Sequence, residues 1–300
     1  MKKIGGILLP FAVYFVVHDL ASLLLAFLVG MGRNVFGEGY WEFVEAHSAS
    51  VHGILNGLSL CLGMAAVLPL AKGELRWRST QLDKEPQPDR NPVGKGLDEK
   101  KGPDGKKDAA FIVMKYLLLI AWAVSLAVGM NLLLTLAGVT EQSENYAEIS
   151  AKQYGVAFGL GLLLYGVVSP VAEEIVFRGV IYNRIRKCFR AAPSVLLCGI
   201  LFGVYHGNLV QGIYGCVLGT VITLVYEWDG SLLAPVLFHG AANAGVFAVS
   251  YDAEVFRGIV TPCSCAVWLI VSVFAGVFSK KMFFKHASGK MRCGYEVENG

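Results

Sequence analysis

The sequence predicts an all-α membrane protein, a polytopic bundle of about eight transmembrane helices. Hydrophobic residues make up 55% of its 300 residues, charged residues make up only 16%, and the mean hydropathy is +0.54. Nearly all charges fall between long apolar runs or at their edges. This distribution excludes a water-soluble globular domain. The net charge of +3 is small and dispersed, so we expect the lipid bilayer as a partner and no nucleic acid.

Eight segments are apolar enough to be transmembrane helices, since about 20 residues at roughly 1.5 Å each cross a bilayer core of ~30 Å. The fifth is short, and its boundaries are the least certain. In chain order the segments are 4–30, 50–71, 111–139, 154–183, 193–207, 210–226, 231–249 and 259–279.

These segments divide the chain into four regions. Residues 1–71 hold two N-terminal transmembrane helices, and 72–110 are rich in Lys, Asp, Pro and Gly. The second region cannot bury a core, so we expect a hydrophilic, disordered cytoplasmic loop. Residues 111–279 form a membrane-embedded bundle with a motif core at 155–250, which we interpret as catalytic, and 280–300 are a basic cytoplasmic tail.

The basic residues predict the orientation, because cytoplasmic loops are enriched in Lys and Arg. With the N-terminus inside, the predicted inner segments hold nearly all the basic residues, and the predicted outer loops hold only Arg33, Lys152 and Arg257. We therefore expect a multi-pass protein of a bacterial plasma membrane with both termini in the cytoplasm. From this orientation we also expect cytoplasmic access to the site.

The fourth segment carries three charges within an apolar helix. Glu174 and Arg178 are four residues apart with the acid first, which is the favoured geometry for an ion pair. Glu173 lies about 100° away around the helix and has no such partner. A buried carboxylate beside a second one is suited to act as a general base.

Two later segments carry polar residues one helical turn apart. Phe202 and His206 share a face of the fifth segment, and His239 and Asn243 share a face of the seventh. We expect Glu173, His206, His239 and Asn243 to converge between the helices.

Other polar residues have simpler interpretations. We interpret His18 with Asp19, and His52 with Asn56, as partners in helix-to-helix hydrogen bonds. Glu227 and Asp229, between the sixth and seventh segments, are expected to be solvated loop charges.

The residues present narrow the protease chemistry that such a site would support. A di-aspartyl mechanism needs two membrane aspartates, and only Asp19 qualifies. The G-x-S-G-like turn of a serine nucleophile and the H-E-x-x-H helix of a zinc protease are both absent from the sequence. Water activated by a carboxylate with help from histidine remains. Glu173, His206, His239 and Asn243 are competent for the base, oxyanion and acid roles of peptide hydrolysis.

Three motifs in order resemble the CPBP family of intramembrane endopeptidases. They are E-E-x-x-x-R (Glu173, Glu174, Arg178), F-x-x-x-H (Phe202, His206) and H-x-x-x-N (His239, Asn243). This family includes type II CAAX prenyl proteases and bacterial lysostaphin-resistance and bacteriocin-immunity proteins. The resemblance implies that Glu173 and His206 activate water, that His239 and Asn243 stabilise the oxyanion, and that Glu174 and Arg178 support the site.

Several alternatives stay open at this point. The substrate would be a membrane-associated peptide or protein, and nothing in the sequence says whether it is prenylated. A non-proteolytic scaffold or immunity role, or a proton- or cation-coupled transporter, would use the same intramembrane residues. The cofactor is also undecided, because Glu173, His206 and His239 form a zinc-type ligand set but serve a metal-free mechanism equally well.

Overall fold

The computed structural model describes residues 2–71, 74–75 and 105–295, and all regular structure in these ranges is helical. Seven helices are long and apolar enough to cross a membrane, and α7 is a shorter apolar helix, so the predicted all-α bundle is confirmed. The helices are α1 (Lys2–Phe36), α2 (Glu38–Ala46), α3 (Ser48–Val67), α4 (Gly105–Leu136), α5 (Glu144–Tyr154), α6 (Phe158–Arg186), α7 (Ala191–Tyr205), α8 (Leu209–Asp229), α9 (Leu233–Ser250), α10 (Ala253–Ile259) and α11 (Pro262–Tyr295).

The two regions predicted to lie outside the bundle are covered in part. Within the predicted loop 72–110, residues 72–73 and 76–104 lie outside the described residues, and the helix α4 already begins at Gly105. The predicted tail 280–300 begins inside α11, which continues to Tyr295.

Close backbone approaches bring the central helices together. A Cβ atom at Gly203 of α7 would lie 2.5 Å from the carbonyl oxygen of Gly212 in α8, and one at Gly240 of α9 would lie 2.4 Å from the carbonyl oxygen of Gly166 in α6. Only glycine fits at such contacts, which are typical of membrane helices that pack through small residues. The first approach joins α7 to α8, and the second joins α9 to α6, the helix that carries the paired glutamates.

The apolar core of the described residues consists of three clusters, and the two larger ones flank the helices that carry the candidate site residues. One cluster joins α1, α3, α6 and α7 around Tyr14, Phe177 and Phe202. The other joins α4, α8 and α9 around Leu119, Ile222 and Phe238. Polar side chains between these two clusters are therefore removed from lipid.

One end of the bundle, which we call the basic end, carries Arg184, Arg186, Lys187 and Arg190. Its charges are paired across helices. Glu74 binds Arg184 Nε at 3.0 Å and Lys187 Nζ at 2.7 Å.

A second set of ion pairs at the basic end corrects a sequence-based expectation. Asp229 is not a solvated loop charge, because α8 continues to Asp229 and places this side chain, 7% exposed, 2.7 Å from Lys115 Nζ. Glu227 is bound as well, since it accepts from Tyr182 and lies 3.2 Å from Arg186 Nε. A glycine in the left-handed conformation, Gly230 with φ of 71°, ends this longer helix.

Candidate active site

The paired glutamates lie in an unusual stretch of α6. Ser169–Glu174 is an ordinary α-helical turn, but it is flanked by the wider π-helical turns Leu164–Val168 and Ile175–Tyr182. Such insertions are frequent at functional sites because they rotate the side chains that follow. Here they set the direction of Glu173 and Glu174 relative to the rest of the helix.

Glu173 is 5% exposed, and its two oxygens have different surroundings. The Ser169 hydroxyl donates a hydrogen bond of 2.6 Å to Oε1. Oε2 is buried and has no hydrogen-bond partner among the described residues. Glu173 thus has no Lys or Arg partner among the described residues, but the Ser169 hydroxyl, one turn earlier on the same helix, binds one of its oxygens.

The predicted pair of Glu174 and Arg178 is formed and fully buried. Arg178 Nη1 lies 2.7 Å from Glu174 Oε1, and Nη2 donates to the carbonyl oxygen of Gly219 at 2.8 Å. The guanidinium carbon lies 4.6 Å from the centre of the Phe202 ring. Arg178 thus links α6 to α7 and α8, which matches the supporting role predicted for it.

His239 joins the two glutamates. Its Nδ1 lies 2.7 Å from Glu174 Oε1, and because a carboxylate accepts, Nδ1 carries the proton and donates. Its Nε2 lies 3.9 Å from Glu173 Oε2. Glu174 therefore orients His239 so that Nε2 approaches the unpartnered oxygen of Glu173, a link that no spacing within one helix could reveal.

His206 and Phe202 pack together as their spacing predicts, with ring centres 4.9 Å apart. His206 stands just after the last turn of α7, where Gly207 with φ of 70° ends the helix. Its Nδ1 donates to the carbonyl oxygen of Phe202 at 2.8 Å, so in the neutral ring Nε2 carries the lone pair. No direct contact joins His206 to Glu173 among the described side chains.

Asn243 lies half-buried one turn beyond His239. Its Nδ2 donates to the carbonyl oxygen of Tyr165 at 3.2 Å, which leaves the second N–H of the amide available. This bond ties α9 to α6 near the first wide turn.

A cavity of about 550 Å³ brings the candidate residues together. Glu173, His206, His239 and Asn243 all line it. Its exposed lining residues include Glu148 and Lys152 of α5, which form a rim among helix ends opposite the basic end. We call this the cavity end. The rim therefore does not lie at the basic end, from which the sequence predicts access, and the side of the membrane that it faces stays a prediction.

The cavity rim carries one local ion pair. Lys152 Nζ lies 2.6 Å from Glu148 Oε1, and this hydrogen bond and positive charge hold the pKa of the Glu148 carboxyl below its usual value. Glu148 is therefore negative at neutral pH, and the rim of the cavity is charged.

The polar residues of α1 and α3 also line this cavity instead of bonding between helices. His18 Nδ1 donates to Asp19 on the same helix at 2.9 Å. His52 and Asn56 line the wall of the cavity, and no side-chain hydrogen bond joins either of them to another helix within the described ranges. The helix-to-helix interpretation of these four residues is therefore wrong.

The residues present do not fit a metal ion. Within residues 2–71, 74–75 and 105–295, no group of three His, Cys, Asp or Glu side chains is arranged to hold one. Glu173 and His239 approach each other, but His206 does not join them as a third ligand. No step below passes through a metal.

Sequence reasoning did not find two residues of the site. Ser169 donates to Glu173, and its spacing of four residues before a buried acid is a signal that was available. Thr223 lies on α8, and its hydroxyl is 3.3 Å from Arg178 Nε. Nothing in its local sequence indicates this role.

Comparisons with known proteins agree with the motifs. Residues 155–245 match the family model described as type II CAAX prenyl endopeptidase Rce1-like. Over these residues, the chain is similar to the CPBP family of intramembrane proteases. It is an integral membrane protein.

The matches to two curated relatives cover only part of each relative's length. CAAX prenyl protease 2 of Homo sapiens is 29% identical over 97 residues, which is 26% of this chain and 30% of that protein. The putative membrane peptidase YdiL of Bacillus subtilis is 24% identical over 134 residues, which is 45% of this chain and 53% of that protein. The chain thus spans about a third and about half of these relatives. No solved structure matches it.

Proposed function

We propose that this chain is an endopeptidase that hydrolyses a peptide bond in a membrane-associated peptide or protein, using water activated by Glu173. One observation carries the proposal. Glu173 Oε2 is buried without a hydrogen-bond partner among the described residues, lies 3.9 Å from His239 Nε2 and belongs to a cavity wall. A buried carboxylate oxygen without a donor costs free energy, and a water bound between the carboxylate and the imidazole would remove that cost.

The two oxygens of Glu173 have separate tasks. The hydrogen bond from Ser169 holds Oε1 and so fixes the direction of Oε2, the base. As the bound water attacks the scissile carbonyl carbon, one proton passes to Oε2, and the carboxyl then gives this proton to the leaving amine. The hydroxyl stays on the new carboxyl end and the proton on the new amino end, so the hydrolysis is balanced.

His239 and Asn243 supply donors for the oxyanion. The Glu174 carboxylate accepts from His239 Nδ1 and so orients the ring with Nε2 on the side of Glu173, where this nitrogen donates to the oxyanion when it carries a proton. Asn243 has one amide N–H that is not used by Tyr165. His206 Nε2 holds the attacking water as an acceptor, because its Nδ1–H is engaged with Phe202.

The name of the human relative suggests one substrate to test, a prenylated CAAX-type C-terminus.

The membranes of bacterial cells that express the wild-type chain, Glu173→Gln or Glu148→Gln would be compared by mass spectrometry for new peptide termini. We expect new termini with the wild-type chain and with Glu148→Gln, the matched change at the rim, and none with Glu173→Gln.

Two results would contradict the proposal. Identical termini in all three membranes would favour a non-proteolytic scaffold or immunity role. A cation or proton flux into liposomes that Glu173→Gln abolishes would favour a transporter.

The proposed orientation places the basic end in the cytoplasm and the cavity end outside. Two native cysteines test it, because Cys188 is exposed at the basic end and Cys263 is exposed near the start of α11 at the cavity end. A membrane-impermeant maleimide applied to intact bacterial cells should label the wild-type chain and Cys188→Ala, but lose this labelling in Cys263→Ala. The reverse pattern would overturn the orientation and place the cavity mouth in the cytoplasm.

A further inference from the structure

Helix α1 carries an acid–imidazole pair that the reaction above does not use. Asp19 and Arg33 are the only Asp, Glu, Lys or Arg residues in the apolar span Gly5–Phe36, and Asp19 lies near its middle. A carboxylate at this depth is costly in lipid, and such residues usually face a water-filled cavity and mark a functional path.

No Lys or Arg side chain pairs with Asp19 within the described part of the chain. Its one side-chain partner there is His18, whose Nδ1 donates to Oδ1 at 2.9 Å. The Asp19 side chain is 50% exposed, whereas that of His18 is 16% exposed. The hydrogen bond from His18 orients the carboxylate and leaves its Oδ2 available to a ligand.

The pair stands close to the candidate catalytic residues. His18 and Asp19 line the same cavity as Glu173 and His206. The ring centre of His18 is 6.1 Å from that of Tyr205, which in turn is 5.5 Å from that of His206. One aromatic ring therefore separates the acid–imidazole pair from the proposed reaction centre.

The cavity that Asp19 lines has both polar and apolar side chains in its wall. The apolar ones include Phe15, one turn before Asp19 on α1, as well as Leu60 and Phe202. A ligand that binds Asp19 and covers these apolar side chains would carry one positive group with apolar groups on either side of it.

We propose that Asp19, oriented by His18, binds the basic side chain of a Lys or Arg residue close to the scissile bond of an otherwise apolar peptide. This inference rests on the proposed peptidase function and adds a substrate class to it. Opposite charge at this position gives specificity, because a neutral peptide would leave the carboxylate without a partner in the occupied, dry cavity.

A binding measurement tests the inference without relying on turnover. The probe is an end-capped peptide of Leu and Ala with one central Arg, and its control is the same peptide with citrulline, which is neutral and nearly the same shape. Affinities would be measured for the full-length Glu173→Gln chain in lipid nanodiscs. We expect the Arg peptide to bind about tenfold more tightly, the size typical of a hydrogen bond between charged groups.

Three further variants assign this preference to Asp19. In the Glu173→Gln background, Asp19→Asn should abolish the preference for Arg over citrulline, and Asp19→Glu should retain much of it. Glu254→Gln, which changes an exposed carboxylate of α10 that does not line the cavity, should leave it unchanged. If Glu173→Gln does not fold, His206→Ala replaces it as the inactive background.

Equal affinity for the two peptides would overturn the inference, and so would a preference that survives Asp19→Asn. An uncapped citrulline peptide that binds as tightly as the capped Arg peptide would assign the site to a free amino terminus instead. Failure of the peptidase proposal is seen separately, as the absence of new termini in wild-type membranes. The citrulline comparison detects the cation site whichever way that experiment ends.

Discussion

The two ends of the bundle differ in whether their buried polar groups have partners. At the basic end, Glu74 is paired with Arg184 and Lys187, and the buried Asp229 is paired with Lys115. Around the cavity, by contrast, polar atoms are left over. Of the five buried side-chain atoms without a hydrogen-bond partner among the described residues, three belong to residues that line the cavity: His18, Glu173 and Tyr214.

This difference separates stability from chemistry. Paired charges at the basic end fix segments of the chain against one another. Unpaired atoms around the cavity are a cost to the empty protein, and such costs concentrate where a ligand or a water completes the site. Substitutions at the basic end and around the cavity test this separation of stability from chemistry.

Arg178 is paired with Glu174, which also binds His239 in the cavity wall, so the removal of Arg178 should affect both stability and activity. Arg178→Ala leaves Glu174 as an uncompensated buried charge, and this typically costs about 3–5 kcal/mol. It should lower the folded yield and the melting temperature, and it should lower activity because Glu174 also orients His239. A stable, well-expressed but inactive Arg178→Ala would instead place this residue in substrate binding or catalysis.

The ion pair between Lys115 and Asp229 tests the basic end alone. Lys115→Met leaves Asp229 buried and unpaired, so we expect a loss of stability at the lower end of the same range of about 3–5 kcal/mol. The double variant Lys115→Met with Asp229→Asn should recover most of it. Because neither residue lines the cavity, the turnover of the folded fraction should stay at the wild-type level. A folded Lys115→Met chain that has lost activity would show that the ends are coupled.

Ser169 tests the cavity end with a smaller change. Ser169→Ala removes the hydrogen bond to Glu173 Oε1, and hydrogen bonds to charged groups contribute about 1.5–3 kcal/mol. Turnover should fall by roughly tenfold to a hundredfold, and the melting temperature should fall as well because the buried Glu173 loses its donor. Ser169→Thr keeps the hydroxyl and should retain more activity. Equal turnover in the alanine and threonine variants would show that this bond does not position the base.

The sequence predicts what lies along one helix better than what lies between helices. Apolar length located the spans, and spacing located the pair of Glu174 and Arg178 and the packing of Phe202 on His206. These features depend only on helical periodicity. The hydrogen bond from Ser169 to Glu173 lies on the same scale, but the sequence analysis did not consider it.

Contacts between helices were beyond such reasoning. The bond between His239 and Glu174 depends on the rotation of α9 relative to α6, and the burial of Asp229 depends on how far α8 extends and what packs on it. The direction of the cavity mouth depends on α5, a short helix that apolar length does not detect. Rotation, tilt and helix ends are set by packing, and the hydropathy of one segment does not encode them.

The central claim is that Glu173 is the base of a hydrolysis, and purified protein tests it most directly. Turnover and melting temperature would be measured for the wild-type chain and Glu173→Gln with a substrate identified from the wild-type membranes. The amide keeps the shape and the bond from Ser169 but accepts no proton, so turnover should fall about 10²–10⁴-fold while substrate still binds and the melting temperature stays close to that of the wild-type chain. Near wild-type cleavage by folded Glu173→Gln would contradict the account.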